Sequence, residues 1–504
     1  MRSKKLFFNT FFSFINQIVT IICGFILPRF ILLNYGSKVN GIVSSITQYL
    51  SFIGLMDLGV GAVIQSLYYK PLSEKNRNEV SLLYNASKRF FNRMGYALFL
   101  YVIVLCIVFS HMFSKSFSRD YVVFLVLILS FNQFAQFFFL IPDQLLLSAD
   151  QQIFIQINVQ TIVTILNTII GVVLIQYGRS IHIVKLVSAV IFTAVPIVLG
   201  VYVKKYYAID RKLIHMGYNI EQKWNGIAQH CATVVMNNAD VMLLTAMASI
   251  TQVSVYTVYN LVVTGIKQFI NATGNSFTSL LGNLYAQNEQ NLLNYWFDMF
   301  EWVLHMMITS VFSVTAFLLV PFVLNYTRGI YDVQYEQWIF SNLLVLGQVI
   351  FCMRIPYNSM ICAAGHYKQT QTSAIMEMSI NIIFTAVLIK PFGLSGAAVG
   401  TIIAIAYRTI SFIRYLNINI LKRPIKKILF QISVDVFSIA GIFLVTILAR
   451  ININPSCGYI DWGICAVYYF LIAFFIVILV NAIFFRKNMN FLIRYCYSKI
   501  HKEN

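Results

Sequence analysis

The sequence predicts an all-α integral membrane protein. About fourteen transmembrane helices are expected, forming two six-helix lobes in a parallel pseudo-twofold repeat around a central cavity, with two more helices at the C-terminal end. Three observations carry that expectation. Across 504 residues, 59% are hydrophobic and only 11% are charged, with a mean hydropathy of +0.73, whereas soluble domains keep about 25% charged residues. Apolar runs long enough to cross about 30 Å of hydrocarbon recur from end to end and leave no stretch for a separate water-soluble domain. Finally, sliding the chain by 214 positions lays Ile141-Pro142 on Ile355-Pro356, Ala149 on Ala363, Asn167 on Asn381, Ile169 on Ile383 and Val173-Leu174-Ile175 on Val387-Leu388-Ile389. That step spans six helices, an even number, so the two copies share one orientation in the membrane.

Taken in order, the spans are 6–33, 39–69, 94–114, 121–145, 153–177, 182–203, 224–248, 252–283, 296–324, 338–363, 372–391, 394–418, 428–450 and 461–485. The first is too long for a signal-peptide core and has no small-residue cleavage pattern, so it reads as a retained helix. The resulting division is an N-terminal lobe over 1–203, a cytoplasmic linker over 204–223, a C-terminal lobe over 224–420, and two additional helices with a basic cytoplasmic tail over 421–504. Orientation follows from the 37 Lys+Arg residues, which outnumber 18 Asp+Glu for a formal charge of +19. They gather in alternate connections: Lys70, Lys75, Arg77, Lys88, Arg89 and Arg93, then Lys204, Lys205, Arg211 and Lys212, then Lys422, Arg423, Lys426 and Lys427. The intervening connections carry far fewer, among them Lys38, Lys115 and Arg179, which places both termini in the cytoplasm.

Several function classes are excluded. The basic clusters lack the interleaved aromatics of a nucleic-acid module, so no nucleic-acid partner is expected. Most of the eight cysteines lie in apolar runs, without a disulfide framework or metal-ligand spacing, and no metal or cofactor is expected. No P-loop, HExxH or GxSxG appears, and the longest outer connection, around 325–337, is short for an extramembrane catalytic loop. The chain is therefore not expected to be an enzyme.

Charges at membrane depth are the informative residues. Arg29, Lys267, Arg354 and Arg408 fall inside spans, as do Asp57, Asp240, Glu377 and Asp435. Each costs about 3 kcal/mol at mid-membrane on insertion scales, so it must be paired or face water. Lys267, Asn271 and Asn275 recur every four residues on one helix face. They fit a cavity wall contacting an anionic or sugar-bearing substrate, and they fit equally an interhelical hydrogen-bond seam. Arg354 precedes Ile355-Pro356, where the proline frees carbonyls. It could hold a phosphate bidentately, or satisfy those carbonyls or a neighbouring acid. Arg29 follows Pro28 and carries a similar choice, with snorkelling to the interface as its structural role. Arg408 is open in the same way. Asp57, within Gly54-Leu55-Met56-Asp57-Leu58-Gly59-Val60-Gly61, and Asp240, after Asn237-Asn238, would carry a coupling proton or cation, or pair with an arginine.

Three blocks then match a known pattern. The first runs from Pro28-Arg29 through Asn34-Tyr35-Gly36 and Asn40-Gly41 to Tyr49-Leu50-Ser51-Phe52-Ile53-Gly54-Leu55-Met56-Asp57-Leu58-Gly59-Val60-Gly61. The second is Asn238-Ala239-Asp240-Val241-Met242-Leu243-Leu244 followed by Val255-Tyr256. The third is Ala363-Ala364-Gly365-His366-Tyr367-Lys368 with Asn381 and Phe392-Gly393-Leu394-Ser395-Gly396-Ala397-Ala398. Together they span about residues 5–420, and the sequence resembles the polysaccharide flippases of the multidrug/oligosaccharidyl-lipid/polysaccharide exporter superfamily. The resemblance implies alternating access in a bacterial cytoplasmic membrane, with an undecaprenyl-diphosphate-linked oligosaccharide as substrate. Its product would serve surface polysaccharide synthesis. It implies H+ or Na+ as coupling ion, and polysaccharide polymerase or assembly proteins and membrane lipids as partners. Only Arg29 is carried over from a matched block; Lys267, Arg354 and Arg408 rest on depth alone. The rival functions are a cation-coupled multidrug exporter of the same superfamily and an integral-membrane glycosyltransferase or polymerase.

Overall fold

The computed structural model describes residues 2–57, 60–207, 209–210, 227–448, 458–491 and 494. Among these, every regular element is helical. The α-helices are α1 (Arg2–Ser51), α2 (Val60–Ser73), α3 (Arg77–Met112), α4 (Arg119–Ala135), α5 (Ile141–Ala149), α6 (Phe154–Gln176), α7 (Ile181–Phe192), α8 (Ala194–Tyr207), α9 (Ile227–Met247) and α10 (Ile250–Ala286). They continue with α11 (Gln290–Tyr326), α12 (Trp338–Met353), α13 (Ile355–Ala364), α14 (Gln371–Asn419), α15 (Lys426–Leu448) and α16 (Tyr459–Phe484). Ten helical stretches are long and apolar enough to cross a membrane. The protein is a multi-pass membrane protein.

Exposed apolar side chains explain why water is the wrong solvent. Ile107 is 65% exposed, Ile410 65% and Leu448 71%. Leaving such surface in water forfeits about 25 cal/mol per Å², whereas acyl chains cover it without that loss.

Among the described residues, all fourteen predicted spans fall on helical stretches, but their bends differ from the sequence reading. The expected loops after 33 and 391 are not loops: α1 turns at Gly36 (φ 79°) and α14 at Gly393 (φ 53°), and helix resumes immediately. Positive φ is tolerated there because glycine lacks a Cβ. Conversely, four spans read as single helices are interrupted. A 3₁₀ turn at Phe52–Asp57 separates α1 from α2, a π-turn at Gln136–Leu140 separates α4 from α5, Thr193 separates α7 from α8, and Arg354 separates α12 from α13. Two of these breaks precede a proline, Pro142 and Pro356, each in the second position of the following helix. Its missing N–H and the clash with the carbonyl four residues back account for both. The linker over 211–223 and most of the basic tail lie outside the described residues.

Two compact units divide the chain, Met1–Ser254 and Val255–Asn504. In the first, α1 packs along α6, and α3 along α4. Helix α9, which the sequence reading assigns to the second lobe, packs on α1. Tyr49 donates its hydroxyl to the Met242 carbonyl at 3.2 Å, Thr245 donates to Ser45 Oγ at 2.8 Å, and His230 Nε2 lies 3.0 Å from the Gly54 carbonyl. In the second unit, α12 packs on α14 and α11 on α16, where buried Trp302 donates to Asn481 Oδ1 at 2.9 Å.

One detail supports the internal repeat. In the first unit Tyr84 on α3 donates to Asp143 on α5 at 2.7 Å. In the second, Tyr357 on α13 donates to Glu301 on α11. Tyr357 stands 214 positions after Asp143, so equivalent helices are tied by the same tyrosine–carboxylate bond with its direction reversed.

Candidate functional site

The break between α12 and α13 leaves Arg354 at the end of one helix and the start of the next. Its N–H is satisfied by the Phe351 carbonyl at 3.2 Å and its carbonyl by the Asn358 N–H at 2.9 Å, which fixes the backbone and aims the side chain. Arg354 Nη1 donates to Glu377 Oε1 at 2.5 Å, and Arg408 Nη1 donates to Oε2 of the same carboxylate. Glu377 and Arg408 both belong to α14, 31 residues apart. The bend at Gly393 brings its two halves face to face.

The Glu377 side chain is fully buried, and those of Arg354 and Arg408 are 9% and 6% exposed. Aromatic faces complete the cluster. The Phe351 ring carries Lys267 Nζ at 4.0 Å and the Arg354 guanidinium at 4.8 Å, and Phe412 carries that of Arg408 at 4.9 Å. Two guanidinium groups therefore share one carboxylate, and Lys267 lies beside them on the Phe351 ring. Buried ions lose several kcal/mol of hydration each, so such a cluster is costly to build for packing alone.

Comparisons with known proteins bear on the architecture around this cluster. No family model and no curated protein matches the sequence. Among solved structures, lipid II flippase MurJ in an inward closed conformation aligns over 95% of this chain and 99% of its own, at 15% identity and a TM-score of 0.65. An inward-facing multidrug resistance MATE family transporter of the MOP superfamily aligns over 81% of this chain and 96% of its own, at 13% identity and a TM-score of 0.56. A eukaryotic MATE transporter, AtDTX14, covers 84% and 98% at 12% identity and a TM-score of 0.53. The chain shares its fold with these three structures. At these identities the likeness concerns the path of the helices.

The remaining sequence candidates are distributed as follows. Asn271 is half-buried one turn beyond Lys267 on α10, while the Asn275 side chain lies outside the described set. Arg29, half-buried on α1, and Asp240, buried on α9, belong to the first unit. Asp57 closes the 3₁₀ turn, and its side chain is also outside the described set. The structure thus assembles Lys267, Arg354 and Arg408. Sequence reasoning named Glu377 as a buried charge but missed it as the shared counter-ion, and missed Phe351 altogether.

Arg423, counted from sequence among the basic residues of a cytoplasmic connection, is buried in the connection between α14 and α15. It donates to Asn417 at 2.8 Å, to Asp298, and to Glu301 Oε1 at 2.9 Å. Burial works to lower its pKa, but the Glu301 and Asp298 carboxylates outweigh that and hold it above the ordinary arginine value. It pins the connection onto α11. Nearby, His305 Nδ1 meets Asp435 Oδ2 at 2.5 Å, a one-to-one buried pair joining α11 to α15.

Proposed function

We propose that this protein is a flippase for lipid-linked oligosaccharides, moving an undecaprenyl-diphosphate-linked repeat unit across a bacterial cytoplasmic membrane by alternating access for surface polysaccharide synthesis. The observation that carries the reading is the pair of buried guanidinium groups held on Glu377 beside Lys267, because a diphosphate is an anion that two such groups can take up. Arg354 and Arg408 each present a planar fork able to take a phosphate bidentately. In the resting state Glu377 occupies both forks and keeps them from collapsing onto other acceptors. An entering diphosphate competes with that carboxylate, and the glycan follows the headgroup through a polar path to which Lys267 and Asn271 contribute. The isoprenoid tail stays in the bilayer. Arg29, carried from the family block, and Asn275 are proposed as further headgroup contacts.

No bond of the substrate changes, so the drive must come from outside the substrate. A proton or sodium ion is proposed, with Asp57 and Asp240 of the first unit as its carriers.

The fold likeness to MATE transporters favours a second reading, export of organic cations. The two differ in the sign of charge they need, and three cations around one acid repel a cationic drug. The test is to reconstitute the purified protein in liposomes carrying an undecaprenyl-diphosphate glycan and follow its sidedness with a membrane-impermeant glycosidase. Transport that falls in Arg354→Gln and Arg408→Gln, with cationic dyes not carried, is the expected result. Dye export with the glycan carrier left in place would replace this reading with the second.

A further inference from the structure

A second feature lies in the first unit, apart from the charge cluster. A cavity of about 720 Å³ opens among α3, α4, α5 and α8, within the roughly 300–1,000 Å³ of ordinary ligand sites. Its walls are aromatic and aliphatic, including Phe131, Phe138, Phe139 and Val201, and two lysines, Lys88 and Lys204, stand along it. The space exists because the π-turn and Pro142 bend the chain out of line with α4. The wall is built rather than loose: Phe138 rests on Gly95, where an added Cβ would come within 2.5 Å of its ring, and stacks on Phe134 with centroids 6.3 Å apart.

The charges of this cavity have different roles. Asp143 also lines the cavity, but it is 2% exposed and accepts from Tyr84 at 2.7 Å, which answers part of its charge. Lys204 is exposed and Lys88 half-buried. An apolar slot beside two ammonium groups complements an amphiphile with an apolar chain and a compact anionic head. Basic clefts between helices on the cytoplasmic side recognise anionic lipid headgroups in this way. Both lysines belong to segments that the charge distribution places on the cytoplasmic side.

We propose that this cavity is a binding site for an anionic phospholipid of the phosphatidylglycerol type, with one acyl chain along the aromatic wall and the phosphate between Lys88 and Lys204. The site is distinct from the transport cluster, and its occupancy does not depend on the transported substrate.

The experiment is native mass spectrometry of the full-length protein with equal amounts of phosphatidylglycerol and phosphatidylcholine of identical acyl chains. Two lysines are expected to give a preference of roughly tenfold for the anionic lipid. Lys88→Gln with Lys204→Gln should bring the ratio near one while lipid is still retained. Val201→Trp, which fills the slot from an exposed position, should lower retention of both lipids. Equal retention by the unaltered protein, or a preference that survives the lysine substitutions, overturns the proposal. Preferential retention of undecaprenyl phosphate over phosphatidylglycerol, lost on the same substitutions, also overturns it and would make the cavity part of the substrate path.

Discussion

The two units share one bend and differ in the charges around it. Both interrupt a membrane helix at Ile-Pro, at Ile141-Pro142 and at Ile355-Pro356, and both tie the helix that follows to a neighbour by a tyrosine–carboxylate bond. At the positions 214 earlier than Arg354, Glu377 and Arg408, however, the first unit has Leu140, Val163 and Ala194, and at that of Lys267 it has Ile53. Ile53 and Val163 are buried there. At these matched positions the first unit thus has apolar residues where the second has four charges. This contrast makes the second unit's cluster a candidate for function rather than for packing, and it can be attacked directly.

The largest expected effect comes from breaking the cluster asymmetrically. Glu377→Ala removes the carboxylate shared by two buried guanidinium groups and should cost about 3–5 kcal/mol, read as a fall in melting temperature of the purified protein. Val163→Ala, at the matching place in the first unit, removes two methyl groups and should cost about 1.5–2.5 kcal/mol. Equal losses would erase the distinction between the units.

A smaller effect tests the likeness instead of the difference. Tyr84→Phe and Tyr357→Phe each delete a hydrogen bond to a carboxylate, for about 1.5–3 kcal/mol apiece. Similar losses in both would support the repeat. A loss confined to one would mean that the reversed pair is a coincidence of sequence.

The smallest stability effect should accompany Lys267→Met. Its contact with the Phe351 ring is worth about 0.5–2 kcal/mol, and methionine keeps the apolar stem. Melting should shift little while glycan transport falls. Unchanged transport would remove Lys267 from the headgroup path.

How much of this could be read beforehand differs between elements. Apolar run length identified the fourteen spans, because a helix crossing hydrocarbon must be long and uncharged whatever its neighbours are. The bends were less legible. The chain turns at Gly36 and Gly393 without leaving helix for long, so no loop composition marks them as such, and of the two prolines only Pro356 was legible as a break, Pro142 having been read as lying inside a span. Depth singled out Arg354, Arg408 and Lys267, since ions are scarce in membranes for a physical reason. That two of them share Glu377 was not legible, because the fold at Gly393 sets that distance and no local spacing encodes it. The partners of Arg423 were equally illegible: it stands in a short connection, and nothing local reveals that Asp298 and Glu301 wait on α11.

The account's central claim is that the charges around Glu377 serve substrate passage and not folding. The most direct measurement gives the second unit the residues of the first, Arg354→Leu, Glu377→Val and Arg408→Ala together, and records melting and glycan-carrier transport on the same preparation. Replacing a buried ion cluster with apolar residues is expected to leave stability within about 1 kcal/mol of the original or raise it. Transport should fall at least roughly tenfold, the loss of about 1.4 kcal/mol of headgroup interaction. A folded triple variant that moves the carrier at the original rate would contradict the claim.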